Sequence, residues 1–425
     1  MSNEYRHGGT GTLIKIAFRN IGRNKRRTIF CLCAVAIAVF FMPVYNSLID
    51  GMIGNINDVV QIFETGHVHV VTKQYEAEKE YAPVQYPVAD GRNWKETASD
   101  IEAIPGVRIV LPRISTMATL QESTVKHAML WGLDLTRETG ENAVHHLNLS
   151  NRNDGLVKGR WPANANECAV GIVFERKAGM TIGDKVSLKT VSAQFSDRYW
   201  SPEIVGIFNF DFIRLDEKYL IVDHERLERL LVLGEGTQSL FVYAEDGKSS
   251  SAIAAAVQNL LGNDHTVSDW QDNYWVAMMK SVMPIYSIIF LVFLIVASFL
   301  IINTVVMIIH ERIKEIGMMG SLGMTRVEIV KVFFFESVIL AVIGSFTGMV
   351  LGGLIVAIMQ NFPFRLLELY GDSFSEMPLS NTIFFVFRID RLVSAFFMGV
   401  IVTSIFTLIP SLRSARVEPV EALRR

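Results

Sequence analysis

Hydrophobic positions run almost unbroken through four stretches of the chain, 29–49, 284–309, 332–359 and 392–410. Each is close to or above the roughly 20 residues that a helix needs to cross the hydrocarbon core of a bilayer. Between the first and the second the pattern changes. Short apolar alternations recur at 67–71, 107–111, 125–133, 185–188, 204–208 and 219–222, divided by turn signals such as Pro105-Gly106, Gly183-Asp184 and Asp246-Gly247. A period of two between such turns predicts strands. Helical spacing is predicted over 94–104, 172–178, 225–231 and 251–261, and over 50–62 and 273–281 as extensions of the first and second apolar runs. The pattern as a whole predicts an α-helical membrane protein with four transmembrane helices, and an α+β domain over 50–283 inserted between the first and the second.

The passage from the second apolar run to the third organises the rest. At its end stand His310-Glu311-Arg312-Ile313-Lys314-Glu315-Ile316-Gly317, followed by Leu322-Gly323-Met324-Thr325-Arg326 before the apolar run resumes at Val332. Thr325 and Glu328 have the Thr-x-x-Glu spacing of a capping box, which predicts a helix start. Gly317, Gly320 and Gly323 permit a tight reversal. Residues 310–331 therefore form a charged hairpin. Within it Ile316, Met318, Met319 and Leu322 are apolar, which is costly in water unless a partner covers them or the loop dips into headgroups. In the third run Gly344, Gly348 and Gly352 recur every fourth residue and share one helix face, where another helix can approach closely. Polar intramembrane positions are few: Asn303 lies deep in the second run and Glu336 about one turn inside the third. So sparse an ionisable interior argues against a hydrophilic conduit or a proton relay.

Half of the 425 residues are hydrophobic and the mean hydropathy is +0.30, which fits the membrane reading. The net charge of -3 matters only through its distribution. Lys15, Arg19, Arg23, Lys25, Arg26 and Arg27 precede the first run and only Glu4 opposes them, which places the N-terminus in the cytoplasm. Alternation then puts 50–283 and 360–391 outside, and the hairpin and the tail 411–425 inside. Within 1–28, Ile14, Ala17, Phe18 and Ile21 share a helical face, as in a helix resting in the membrane interface. Three cysteines, Cys31, Cys33 and Cys168, make no disulfide framework. His67 and His69 point to the same side of a predicted strand; without further ligands at a defensible spacing, they read as a solvated strand face. Neither a phosphate-binding loop nor a Gly-x-Ser-x-Gly or His-Glu-x-x-His pattern occurs. The chain reads as neither an enzyme nor a metal protein.

The run Asn303…Glu311-Arg312-x-Lys314-Glu315-Ile316-Gly317…Leu322-Gly323-Met324-Thr325-Arg326…Glu336-Ser337 resembles the second and third membrane segments of FtsX-like permeases, the membrane subunits of MacB-type ABC transporters. The tail Pro410-x-x-Arg413-x-Ala415-Arg416-x-x-Pro419-x-Glu421-Ala422-Leu423-Arg424 is similar to that family's C-terminal signature. Gly159-Arg160-Trp161, Glu167-Cys168-Ala169-Val170-Gly171, Gly183-Asp184-Lys185-Val186 and Val205-Gly206-Ile207-Phe208 resemble its outer, Porter- and Sabre-like region. Thr65-Gly66-His67-Val68-His69-Val70 looks most like the lipoprotein-releasing LolC/LolE branch, as does the lack of a fused ATPase. The resemblance implies an inner-membrane permease working by mechanotransmission, with ATP and Mg bound by a separate ATPase subunit. Glu311, Arg312, Glu315, Ile316, Gly317, Met318, Met319, Leu322, Gly323 and Arg326 would couple it to that subunit. Further implied partners are a second permease copy or paralogue, a lipoprotein substrate and a periplasmic carrier; nucleic acid is not expected. The alternatives are MacB-like export of small molecules or peptides from the periplasm, and an FtsX-like signalling permease that transports nothing.

Overall fold

The computed structural model describes residues 10–23, 25–88, 93–121, 123–139, 155–311, 318, 321, 324–365 and 378–414. They fall into two compact units. The first comprises Met1–Gly51, Ser281–Phe364 and Phe384–Arg425, and the second Met52–Lys280 with Arg365–Ile383. The divisions at 51 and 280 fall inside the continuous helices Lys25–Val59 and Tyr274–Glu311.

The first unit is helical. Among the described residues three helices are long and apolar enough to cross a membrane, Thr28–Glu64, Arg326–Met359 and Ile389–Leu408, not the four expected. The other expected span, 284–309, lies within the helix Tyr274–Glu311; several of its side chains are outside the described residues and it is not among the three. A short helix, Thr10–Arg23, precedes them. Ala17 is buried, whereas Ile14 and Phe18 are exposed beside Lys15 and Arg19. Its apolar residues thus divide between the protein and the surroundings.

The second unit is built on one mixed sheet of eleven strands: β1 (Val68–Thr72), β2 (Val107–Leu120), β3 (His127–Leu133), β4 (Gly155–Gly159), β5 (Glu167–Gly171), β6 (Leu188–Val191), β7 (Asp197–Trp200), β8 (Glu203–Asn209), β9 (Tyr219–Asp223), β10 (Ser239–Ala244) and β11 (His265–Asp269). Their order is β11-β1-β10-β2-β3-β9-β5-β8-β4, with β6 on the far end of β2 and β7 on β6. β3 runs parallel to β9 and β5 to β8, and the other pairs are antiparallel. Val68, Val70, Val110, Leu240 and Val242 form one core beneath the helices Trp94–Glu102 and Ser250–Leu261. Leu130, Val170, Ile204 and Leu220 form another with Phe174 and Leu227. Trp131, Ala169, Phe208 and Ile221 pack with Val59, Ile62 and Phe63. Phe63 sits in Val60–Glu64, a turn of π-helix that ends the long N-terminal helix.

One expectation needs correction. His67 and His69 do not form a solvated face. His69 lies edge-on to Phe241 with ring centres 5.4 Å apart, and His67 to Tyr243 at 5.5 Å. The His67 Nδ1 accepts the Ala244 N–H at 3.0 Å. The cause is β10, unforeseen because its six residues are all buried and show no alternation. Of the stretch 360–391, Arg365–Ile383 is grouped with the second unit. There the Asp211 carboxylate accepts the Thr382 N–H at 2.9 Å, the Asp211 carbonyl accepts the Asn381 N–H at 2.6 Å and Asn55 Oδ1 accepts the Ser380 N–H at 2.7 Å.

The loop that makes these bonds is shaped by Asp216, a buried carboxylate that accepts the Phe210 N–H at 2.9 Å. Gly171 lacks the Cβ that would strike the Asp216 backbone. Burial pushes the Asp216 carboxyl up to about 7, against the backbone hydrogen bonds that favour its charge. With a folded value above the ordinary one, its contribution to stability is full at acid pH and falls as pH rises through about 7. The stability of the purified chain to unfolding should therefore decline by up to ~1.4 kcal/mol per pH unit between about pH 4 and pH 7 from this group, and level off above 7. Asp216→Asn, which keeps the acceptor, should flatten that decline; an unchanged pH slope would refute the assignment.

Candidate functional site

Three helices of the first unit meet along a seam of glycines. A Cβ on Gly344 would stand 2.7 Å from the Cβ of Val35, one on Gly348 would strike the Ala36 carbonyl, and one on Gly352 would stand 2.6 Å from the Pro43 ring. The helix Arg326–Met359 thus lies backbone-close against the helix Lys25–Val59. Gly399 in the helix Ile389–Ser414 closes the third side, where a Cβ would meet Val39 and the Ser345 hydroxyl. Val35, Val39, Met42, Ile329, Phe333 and Ala395 fill the space around the seam. Close approach multiplies dispersion contacts, which take over where lipid removes the hydrophobic drive between helices. Gly399 went unread in the sequence because no second glycine stands four positions away on either side.

At one end of the seam the helix Arg326–Met359 begins on a full capping box. Thr325 Oγ1 accepts the Glu328 N–H at 3.3 Å, and Glu328 Oε2 accepts the Thr325 N–H at 2.8 Å. Two of the four orphan donors at the helix start are satisfied within the chain. Arg326 and Val327 are exposed there, as is Met318. Glu311 is the last residue of the helix Tyr274–Glu311. Arg312, Glu315, Ile316, Gly317, Met319, Leu322 and Gly323 lie outside the described residues. Of the two intramembrane polar positions, Glu336 is buried beside Ser337, and Asn303 is exposed on its helix. The structure does not bring these two together with the glycine seam as a single site.

Two ionic fastenings were not legible beforehand. In the first unit Arg391 grips Asp50 with both ends of its fork, at 2.9 and 2.8 Å. Ser47 Oγ donates to the Val386 carbonyl at 2.9 Å. The ion pair joins the helices Lys25–Val59 and Ile389–Ser414, and the Ser47 bond holds the chain just before the latter. In the second unit Glu64 accepts from Arg214, and from Asn273 Nδ2 at 3.3 Å. Asn273 Oδ1 in turn accepts the Trp275 N–H at 2.9 Å, at the start of the helix Tyr274–Glu311. The carboxylate therefore ties the end of one long helix to the start of another. Among the described residues no group of three or more His, Cys, Asp or Glu is placed to hold a metal ion.

Long apolar helices and a separately folded sheet unit fit a membrane protein of the permease kind. The family model described as MacB-like periplasmic core domain matches residues 28–260, and that described as FtsX-like permease C-terminal matches 287–419. The chain belongs to the FtsX/MacB/LolC family of ABC transporter permeases. It is 21% identical over 357 residues to the lipoprotein-releasing system transmembrane protein LolC of Xylella fastidiosa (strain Temecula1), a match covering 81% of this chain and 84% of that protein. It is 23% identical over 218 residues to the macrolide export ATP-binding/permease protein MacB of Psychrobacter arcticus, covering 50% of this chain and 30% of that protein. Among solved structures, the periplasmic region of MacB from Actinobacillus actinomycetemcomitans matches over 51% of this chain and 92% of that one, at 8% identity and a TM-score of 0.32. The extracellular domain of the ABC-type transporter YknZ matches over 48% and 99%, at 12% identity and a TM-score of 0.31.

A side chain at Gly348 must push two backbones apart. Gly348→Leu should therefore cost several kcal/mol of packing, in the range of an overfilled core (about 1–3 kcal/mol or more). On native gels the purified variant should lose its wild-type migration and unfold at lower temperature; wild-type behaviour in both assays would show that the seam tolerates separation.

Proposed function

We propose that this chain is the membrane subunit of a lipoprotein-releasing transporter driven by mechanotransmission. The observation that carries the reading is the match to LolC, which extends over 84% of that protein, against 30% for MacB. On this reading a separate ATPase subunit binds ATP and Mg and docks on the hairpin 310–331. Ile316, Met318, Met319 and Leu322 supply the apolar contact, and Glu311, Arg312, Glu315 and Arg326 supply the charged one. Four helices cross the inner membrane with both termini in the cytoplasm, and the domain between the first and second stands in the periplasm. A second permease, identical or paralogous, completes the assembly.

The physical support lies in stiffness. The capping box fixes the start of the helix Arg326–Met359, and at Gly344, Gly348 and Gly352 that helix contributes no side chain of its own to the contact with Lys25–Val59. A displacement applied at the hairpin is then carried along backbone contacts rather than absorbed by rotamer changes. Lys25–Val59 and Tyr274–Glu311 each continue unbroken past the boundary between the two units. Cargo is handled outside the bilayer rather than through a polar pore. A second reading, MacB-like export of small molecules or peptides, is favoured by the match of the MacB-like periplasmic core domain to 28–260.

Depleting the protein in its host tests the first reading against the second. Lipoproteins should accumulate in the inner membrane fraction; normal sorting with a fall in drug tolerance would transfer the case to export. In the reconstituted complex, Arg312→Ala and Gly317→Pro should abolish the coupling of ATP hydrolysis to cargo release while the outer unit keeps its unfolding temperature. Undiminished release by both variants would remove the hairpin from the mechanism.

A further inference from the structure

A cleft of about 520 Å³ opens within the second unit, and nothing in the family assignment gives it a role. Its floor is the sheet face that carries His69 on β1, Phe241 on β10, Arg113 and Ser115 on β2 and Trp131 on β3. Glu64, Arg214 and Asn273 stand in its wall, and Asp272 and Tyr274 also line it. The volume is that of a site for a small ligand or a short chain segment.

Arg113 is its most unusual feature. It is 3% exposed, and its two terminal nitrogens bind both oxygens of buried Glu138 at 2.6 and 2.5 Å. The Trp131 and Phe241 rings flank the guanidinium at 5.4 and 4.9 Å. The Nε has no hydrogen-bond partner among the described residues. Leaving such a donor buried without an acceptor costs about 1–3 kcal/mol, so an oxygen delivered into the cleft would be bound favourably. Glu138 already neutralises the guanidinium, which makes a neutral oxygen as suitable as a charged one. His69 beside it is neutral at ordinary pH, because burial lowers its pKa to about 4.

The charges around the cleft are unequal. Lys79 pairs with Glu76, Arg214 with Glu64 and Arg113 with Glu138. That leaves Asp269 and Asp272 without a cation partner among the described residues. Asp269 is occupied by the Ser250 and Ser251 hydroxyls, so Asp272 carries the accessible charge. Tyr274 next to it is exposed and offers an aromatic face to a cation. A ligand with a neutral carbonyl at one end and a positive charge at the other meets both needs. An uncharged sugar could donate hydroxyls to Asp272 but would bring no opposite charge to it, and an anion would be repelled.

We propose that this cleft binds an extended peptide segment bearing a basic residue, with a backbone carbonyl accepting from Arg113 Nε–H and the basic side chain against Asp272 and Tyr274. The occupant would touch Glu64 and Asn273, the residues that tie the two long helices together, so peptide binding and helix position are linked through one carboxylate.

The test uses the full chain in nanodiscs without nucleotide, so that its outcome is separate from that of the mechanotransmission reading. The probes are fluorescein-labelled Ala-Lys-Phe-Lys and Ala-Glu-Phe-Glu, followed by fluorescence anisotropy. The basic peptide should bind saturably and about tenfold more tightly than the acidic one, the worth of one well-placed charge. Asp272→Asn should remove that preference, and Ser115→Leu, which fills the floor, should weaken the basic peptide without shifting the unfolding temperature. Equal binding of the two peptides, absence of saturable binding, or binding that both variants leave unchanged would overturn the proposal. So would displacement of the basic peptide by maltotetraose, which would reassign the cleft to carbohydrate.

Discussion

The membrane unit depends on the absence of side chains along one line. At Gly344, Gly348 and Gly352 the backbone of one helix lies where a β-carbon of the next would have to be. In lipid, apolar side chains gain little by leaving one hydrocarbon environment for another, so helix association rests on the number of atoms in contact. Glycine maximises that number by letting the axes approach. Larger side chains then pack around the seam, Val35, Val39 and Phe333 among them, and the Arg391–Asp50 pair fastens one end. The arrangement is stiff because backbone, unlike a rotamer, cannot turn aside.

The second unit solves a different problem. An eleven-stranded sheet with two parallel pairs needs covers on both faces, and the short helices and the aromatic cluster around Phe63, Phe208 and Phe210 supply them. Polar groups left within those covers are paired at close range. Arg113 and Glu138 are the clearest case: replacing such a pair by apolar residues can be neutral, whereas breaking it strands a charge at a cost of several kcal/mol. Burial keeps the Glu138 carboxyl above its usual range even with Arg113 beside it, which shows that desolvation is a large force at this point. The same force raises Asp216. Both groups hold loops or strand ends in position rather than carry out chemistry.

Continuity relates these two solutions to function. The long helices do not stop at the boundary of the membrane unit, and the sheet unit is bonded to their ends through Val59, Ile62, Phe63 and Glu64 on one and Asn273 on the other. Glu64 and Asn273, which fasten these helix ends, both belong to the second unit. A family whose members are named for different cargoes can share this frame, because a fold fixes the framework and leaves the outer surface free to vary.

Much of this was legible in the chain because its cause is local. The apolar runs, the four-residue recurrence of glycine and the Thr325–Glu328 spacing each encode their structure within a few residues, through helical geometry and the unsatisfied amides of a helix start. Strands with alternating faces, such as β3, were equally legible. β10 was not, because a strand buried on both faces has no period of two to show. Of the four apolar runs, three stand among the described residues as helices long and apolar enough to cross a membrane. What only the tertiary structure decided are pairings between distant positions: Asp50 with Arg391, Glu64 with Asn273, Arg113 with Glu138, and His69 against Phe241. No local rule links residues so far apart, since their contact depends on where the whole sheet and bundle place them, and a buried charge finds its partner only when that placement is complete.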